Sequence, residues 1–513
     1  MRELPAIIEA YGRVRPYTGG LALPNSVARA ATRLRPSTRA RVKLLAHLDA
    51  AFDACGIVDG ATLSFHHHLR NGDQVLNQVL DAAARRGLRG LRVAASSIFA
   101  VHAPLMGHIR SGVVDRITTA YMAGPVANAI SRGLLPTPVV MTTHGGRARA
   151  IESGELHIDI AFIAAPAADR FGNLSGAEGR AACGPLGYAM VDANCADFVV
   201  AVTDELRAAP PKPLDIRQDQ VDYVVRIDSI GDPRGILSGT TRPTTEAVGL
   251  HIAKLAARVI DAAGLLGEDF SFQTGAGGVS IAAAMDVKEL MRRRGLVGSF
   301  CAGGVTATQV EMLDEGLFRN IYDVQCFDLK AVDSYRRDPR HLAMSASLYA
   351  NPHTRGPLVE RLDVMLLGAA EVDLDFNVNV TTGSDGVILG GSGGHADTAA
   401  GAQLAIVTTR LTAGVGPKIV DRVHCLTTPG ATVDAVVTEA GVAVNPARPD
   451  LRDHLVHAGI DVAPIEVLRQ RAKDLARDFE PVPDTVGSGP GRIVAVVEYR
   501  DGRVTDVIRQ VGG

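Results

Sequence analysis

The chain has 513 residues, 46% hydrophobic and 21% charged, with a formal net charge of −3. That length exceeds one ordinary core and predicts at least two domains, while the composition excludes a disordered chain. A near-neutral balance without a basic stripe, an RNP-like motif or a Cys/His finger excludes nucleic acid as a partner, and without eighteen consecutive apolar residues no membrane span is expected. The start, MRELPAIIEAYGRVRPY, lacks the apolar region of a secretion signal, so a cytoplasmic location is expected. The six cysteines, without CxxC spacing, read as free thiols rather than zinc ligands.

Residues 1–48 read as an extension, with PYTGGLALPNS irregular and RARVKLLAHLDAAFDACG helical. Residues 49–240 read as a first α/β unit. ATLSF, RGLRVAAS, DRITTAY, TPVVMTT, IDIAFIAA and DFVVAVT are its strands, and DQVLNQVLDAAARRG, VANAISRG and RARAIESG its helices. Strands alternating with helices predict mostly parallel sheets with crossovers. Gly, Pro and Thr concentrate between Ser229 and Thr245 and mark a boundary. Residues 241–513 restart the alternation. TEAVGLHIAKLAARVIDAAG is an amphipathic helix and SFQTGAGGVS a strand with a Gly loop. NIYDVQCFD, VMLLGAAEVDLDF, LAIVTT and AVVTEAGVAV are further strands, followed by the helix APIEVLRQRAKDLARDF and the tail RIVAVVEYRDGRVTDVIRQ. Two related open α/β domains facing each other are predicted.

Several stretches point to chemistry. From Glu371 onward the apolar residues Val372, Leu374, Phe376, Val378 and Val380 alternate with Asp373, Asp375, Asn377 and Asn379, as in one half-buried strand. The following Gly390-Gly391-Ser392-Gly393-Gly394 lacks Cβ atoms and can offer backbone N–H groups to an anion. Gly275, Gly277 and Gly278 form a second such cradle after a strand. SFHHHLRNGD, at another strand end, would place His66 and His68 on one face of a continued strand and His67 on the other. Arg70 there could fork a carboxylate. A metal would need a further ligand, and none is evident. GGSGGHA could be mistaken for a dinucleotide fingerprint, but the next strand ends in Arg410 rather than an acid, which disfavours a nicotinamide cofactor.

Taken together, these residues resemble the CoA-transferase superfamily, and within it the citrate lyase alpha subunit family. YGRVRPYTGG, FHHHLRNGD, HIDIAFIAAPAADRFGNLSG, QTGAGG, FNVNVTTGSDG, GGSGGHADTA and AVNPARPDL carry the resemblance over nearly the whole chain. It implies two α/β domains with the active site between them, citrate as acceptor and an acetyl thioester as donor. The implied partners are the beta (citryl-ACP lyase) and gamma (acyl carrier) subunits, and a homo-oligomer is expected. No cofactor is expected on this chain itself; the carrier would deliver a phosphoribosyl-dephospho-CoA arm. Covalent CoA-transferases place a nucleophilic Glu where GSFCAGGVTATQVEMLDEGLF has Gly303, with Gly304 next and Glu311 eight residues later in a helix. A mixed anhydride formed by the substrate's own carboxylate is therefore expected, without a bond to the enzyme. On this reading Gly393 and Gly394 stabilise the oxyanion and Glu371 orients the acceptor. Gly275, Gly277, Gly278 and Gly391 hold the thioester. His66, His68, Arg70, Asn377 and Asn379 bind citrate. The alternatives are a free-standing acyl-CoA:carboxylate CoA-transferase or acyl-CoA hydrolase, and a scaffold that only docks the carrier.

Overall fold

The computed structural model describes residues 3–22, 43–237, 242–275, 277–414, 416–476 and 491–512. Its two large sheets repeat one wiring. In the first, Thr62–Phe65 is central. Leu91–Ala95, Val114–Thr119 and Val139–Met141 follow outward on one side, and Ile160–Ala165, Phe198–Thr203 and Tyr223–Arg226 on the other. In the second, Ser271–Thr274 takes the centre. Gly298–Val305, Phe318–Cys326 and His341–Ala343 lie on one side, and Val364–Gly368, Leu404–Thr408 and Ala435–Thr438 on the other. All these pairs are parallel. The chain is thus α/β with two related domains.

The crossover helices form where apolar residues recur at helical spacing. Val75–Arg85 buries Val75, Leu76, Val79, Leu80, Ala82 and Ala83 against the first sheet. Burying each Val or Leu side chain contributes about 1.5–3 kcal/mol before entropic costs. Gly278–Arg294 starts with its small-residue run inward and stops at Gly295, whose φ of 64° satisfies the left-handed C-cap.

Three local readings are corrected. The tail, read with the second unit, forms the hairpin Ile493–Glu498 and Val504–Arg509 and pairs in parallel with Val139–Met141, so it extends the first sheet. RARVKLLAHLDAAFDACG is helical only over Leu48–Cys55. Leu44–Leu45 is instead an edge strand on Tyr223–Arg226, and residues 39–42 lie outside the described set. The alternating stretch after Glu371 is not one strand. Glu371–Asp373 and Val378–Asn379 pair as a hairpin, with Glu371 opposite Asn379. Asp373 Oδ1 accepts the N–H groups of Asp375 and Asn377 at 3.0 Å each, and Phe376 turns through a φ of 63°. An Asp side chain that captures its own downstream amides stabilises a turn and ends a strand.

Candidate active site

An open sheet of this kind leaves a crevice where consecutive strands depart to opposite sides, beyond the strands' C-terminal ends. Here two such ends face one another and enclose a cavity of about 360 Å³. The first sheet contributes His67 and Arg70 after the central strand, Ser97 and Phe99 after Leu91–Ala95, Tyr121 after Val114–Thr119, and His144 after Val139–Met141. The second contributes Gln273, Thr274, Gly275 and Gly277 from the end of its central strand, Gly304, Gln325, Gly368, and Gly391 to His395.

Contacts across the cleft fix the two halves. Gln325 Nε2 donates to His67 O at 2.8 Å, and Thr143 Oγ1 and Gly145 N donate to Asp397 at 2.8 and 2.9 Å. Gly393 O accepts the His144 N–H at 2.8 Å.

Among the described residues that line the cavity, Arg70 is the cation and there is no carboxylate and no thiol. Its guanidinium carbon lies 5.0 Å from the ring centroids of both Phe99 and Phe327, within cation–π range of each. Burial lowers its pKa from the ordinary arginine value, opposed by Tyr121 and Tyr188. Three imidazoles share the wall. Burial, then His144, His68 and Arg70, holds His67 well below the usual imidazole range. Burial and Arg147 push His144 down to about 3, and burial pushes His395 down to about 4. All three are neutral at pH 7. His395 Nε2 lies 2.9 Å from Gly368 O, an acceptor only, so Nε2 carries the proton and Nδ1 takes the Thr428 hydroxyl at 2.7 Å.

Of the residues expected to bind citrate, Arg70 faces the cavity and His66 and His68 are absent from its lining. The strand ends at Phe65, so its alternation stops before the histidines and His67 is the one presented. His66 Nε2 instead lies 3.0 Å from Asp192, which Arg147 grips with both guanidinium nitrogens at 2.9 and 3.0 Å. His68 is buried beside it, its ring 6.1 Å from that of His66.

Glu371, Asn377 and Asn379 are likewise not in the lining. Glu371 Oε2 accepts from Asn379 Nδ2 and from the His424 N–H, both at 2.9 Å. Asn379 also donates to Thr382, and Asn377 bridges Asp373 and the Gly430 N–H. These side chains hold the hairpin together.

The glycine loops do reach the cavity through Gly275, Gly277, Gly391, Gly393 and Gly394, while Gly278 opens the helix behind. They are not equivalent donors. The Gly275 N–H is committed to Leu366 O at 2.7 Å and the Gly393 N–H to Ala120 O at 3.0 Å. Among the described residues the Gly391 and Gly394 N–H groups have no acceptor. A Cβ at Gly394 would stand 2.5 Å from the Tyr349 hydroxyl.

The region of Gly303 has no room for a carboxylate. Gly303 sits at a φ of 100°, and a Cβ there would overlap the Gln273 amide; one at Gly304 would overlap the Phe327 ring. Gln273 Nε2 donates to Tyr349 Oη at 2.8 Å, and its Oε1 is buried without a partner, as is Gln325 Oε1. Neither glutamine was singled out in the sequence, nor were His67, His144, Tyr188 and Tyr349. The THGG turn after a strand was the one signal for His144.

Behind this wall, Asp323, Cys326 and His341 bring three potential ligand atoms within 4.8 Å of one another. Cys326 Sγ and His341 Nε2 both lie against Asp323 Oδ2, at 3.1 and 3.0 Å, so the cluster satisfies itself.

The family model described as citrate lyase, alpha subunit (CitF) matches residues 41–511. The Escherichia coli K12 citrate lyase alpha chain is 49% identical over 469 residues, covering 91% of each chain. That of Klebsiella pneumoniae is 46% identical over 475 residues, covering 93% of this chain and 92% of its own. A Streptococcus mutans alpha subunit of citrate lyase, solved in complex with citrate, superposes with a TM-score of 0.93 at 44% identity, covering 96% of both chains. A Pseudomonas malonate decarboxylase hetero-tetramer shares the fold alone, with a TM-score of 0.62 at 17% identity over 85% of this chain and 87% of its own. The chain belongs to the citrate lyase alpha subunit family.

Proposed function

We propose that this chain transfers the carrier thiol of an acetyl thioester from acetate to citrate, yielding a citryl thioester and free acetate through an anhydride not bonded to the enzyme. The observation that carries the reading is the lining of the cleft, among the described residues one guanidinium and three neutral imidazoles with no carboxylate or thiol, together with the filled space at Gly303. An acid nucleophile would have to come from the substrate.

Citrate enters with one carboxylate on the Arg70 fork. A second citrate carboxylate oxygen attacks the acetyl carbonyl. The C–S bond breaks, the thiolate leaves, and acetic citric anhydride remains. The thiolate then attacks the citryl carbonyl, the C–O bond to the bridging oxygen breaks, and acetate departs. Both tetrahedral intermediates carry an oxyanion, for which the Gly391 and Gly394 N–H groups are available donors, having no acceptor among the described residues. Where the Ser96 hydroxyl donates to His67 Nδ1 across 2.6 Å, the His67 Nε2–H is a further neutral donor. His395, tied on both nitrogens, fixes the loop bearing Gly394. The thioester arm, a phosphoribosyl-dephospho-CoA group on a gamma subunit, would lie along Val324, Phe327, Met365 and Leu367. A beta subunit would cleave the citryl thioester formed.

A single turnover with ¹⁸O-carboxylate citrate tests the route. The bridging oxygen comes from citrate and leaves in acetate, so the first acetate released gains one ¹⁸O. Unlabelled acetate without citryl thioester would indicate a hydrolase, and unlabelled acetate with citryl thioester formed would indicate an enzyme-bound acyl group.

A further inference from the structure

A second cavity, of about 250 Å³, shares no residue with the first. It lies on one face of the first sheet, where register brings Arg92 beside Arg116 and Thr118 beside Val140, with Thr142 two residues on. Glu498 borders it on the same sheet, one residue past the Val497–Met141 pair and so beside Thr142, and Tyr11, Arg149 and Glu155 complete the lining.

Most of its charged groups are already matched. Arg149 forks Glu155 at 2.7 and 2.9 Å, Arg116 pairs with Asp115 at 3.0 Å, and Glu498 takes the Tyr11 hydroxyl at 2.8 Å. What remains is a set of hydrogen-bonding groups with nothing to bond. Arg92, half-buried, has no acceptor for its guanidinium among the described residues. Among the described residues, the buried hydroxyl of Thr142 (2% exposed) and the buried Nε–H of Arg149 (3% exposed) likewise have no partner. A buried polar group left unmatched is costly, so native interiors pair such groups with protein, water or ligand. Two of the three are donors only, and the third is a hydroxyl that can donate.

We propose that this cavity binds a small oxyanion, phosphate or a compact dicarboxylate, held by Arg92 with Thr142 and Arg149. The anion neutralises Arg92, which among the described residues makes no ion pair within 4 Å although Asp115 and Asp159 act on it from further off, and its several oxygens accept from the hydroxyl and the Nε–H together. The site is independent of the citrate reading, because none of its residues borders the cleft.

The test is calorimetry on the full-length chain kept saturated with citrate, titrated separately with inorganic phosphate and with succinate. One further equivalent of at least one probe should bind, and which of the two does so identifies the source. Arg92→Ala should weaken that binding at least tenfold and Thr142→Val severalfold, while Arg70→Ala in the cleft leaves it unchanged. The proposal is overturned if neither probe binds, if both Arg92→Ala and Thr142→Val bind like wild type, or if binding disappears with Arg70→Ala. Should Arg92→Ala fail to fold, wild-type crystals soaked in selenate decide the matter. An anomalous peak within hydrogen-bond distance of Arg92 supports the site, and none there refutes it.

Discussion

Replacing Arg70 by Lys separates charge from geometry at the proposed acceptor site. Arg70 is buried, at 8% exposure, with the Phe99 and Phe327 ring centroids each 5.0 Å from its guanidinium carbon. Lysine retains the positive charge, but its three donors radiate from a point and cannot fork a carboxylate. Losing one charge-assisted hydrogen bond of a pair costs about 1.5–3 kcal/mol, which is roughly a ten- to hundredfold rise in the citrate KM. The assay is citrate-dependent acetate release from an acetylated carrier, with citrate and carrier varied separately. The KM for citrate should rise while that for the carrier stays within about twofold. An unchanged citrate KM, or an equal rise in both, would refute the assignment of Arg70 to the acceptor carboxylate.

Gly394→Ala should lower kcat by ~10²–10³ with little change in citrate KM, because the new methyl group meets Tyr349 Oη and shifts an uncommitted N–H donor; unaltered kcat in steady-state assays would place the oxyanion elsewhere. Glu371→Gln should reduce thermal stability more than it alters kcat/KM, since Glu371 joins Asn379 and the His424 amide rather than lining the cleft. A selective loss of kcat with the melting temperature intact would return it to the chemistry. With His67, His144 and His395 all depressed by burial, the last two to about 3 and 4, kcat/KM should show no imidazole inflection between pH 5.5 and 8 once citrate is expressed as its fully ionised form; a bell-shaped profile there would contradict neutral histidines. Burial alone would raise the Asp192 carboxyl, but Arg147 and His66 pull it below the usual range. Its folded pKa is depressed, so it stabilises the fold above about pH 4, its unfolded value, and that contribution is lost as pH falls. Asp192→Asn should therefore cost about 3–5 kcal/mol in urea unfolding at pH 7 and flatten the acid limb.

The parallel strands and their helices were legible because each carries its own periodicity, and Arg70 and the glycine loops because their residue types belong at strand ends. Gly303 was informative for what it lacks, and the Gln273 amide and Phe327 ring around it explain why no side chain fits. The errors came from extending a local pattern past its end. The Glu371–Asn379 alternation fits a strand equally well as a hairpin, and only the Asp373 turn decides between them. In His66-His67-His68 a parity argument picked the outer pair, yet the strand had already stopped at Phe65. Gln273, Gln325, Tyr188 and Tyr349 carry no local signal at all, since strands widely separated in sequence bring them to one cleft.

On the proposed route the acyl group passes between substrates without resting on the polypeptide. Intact-mass spectrometry of the chain quenched with borohydride during turnover of acetyl thioester and citrate tests this most directly. The chain should keep its unmodified mass at every time point. A chain heavier by an acyl or CoA adduct, or one carrying a carboxyl reduced to an alcohol by borohydride, would contradict it.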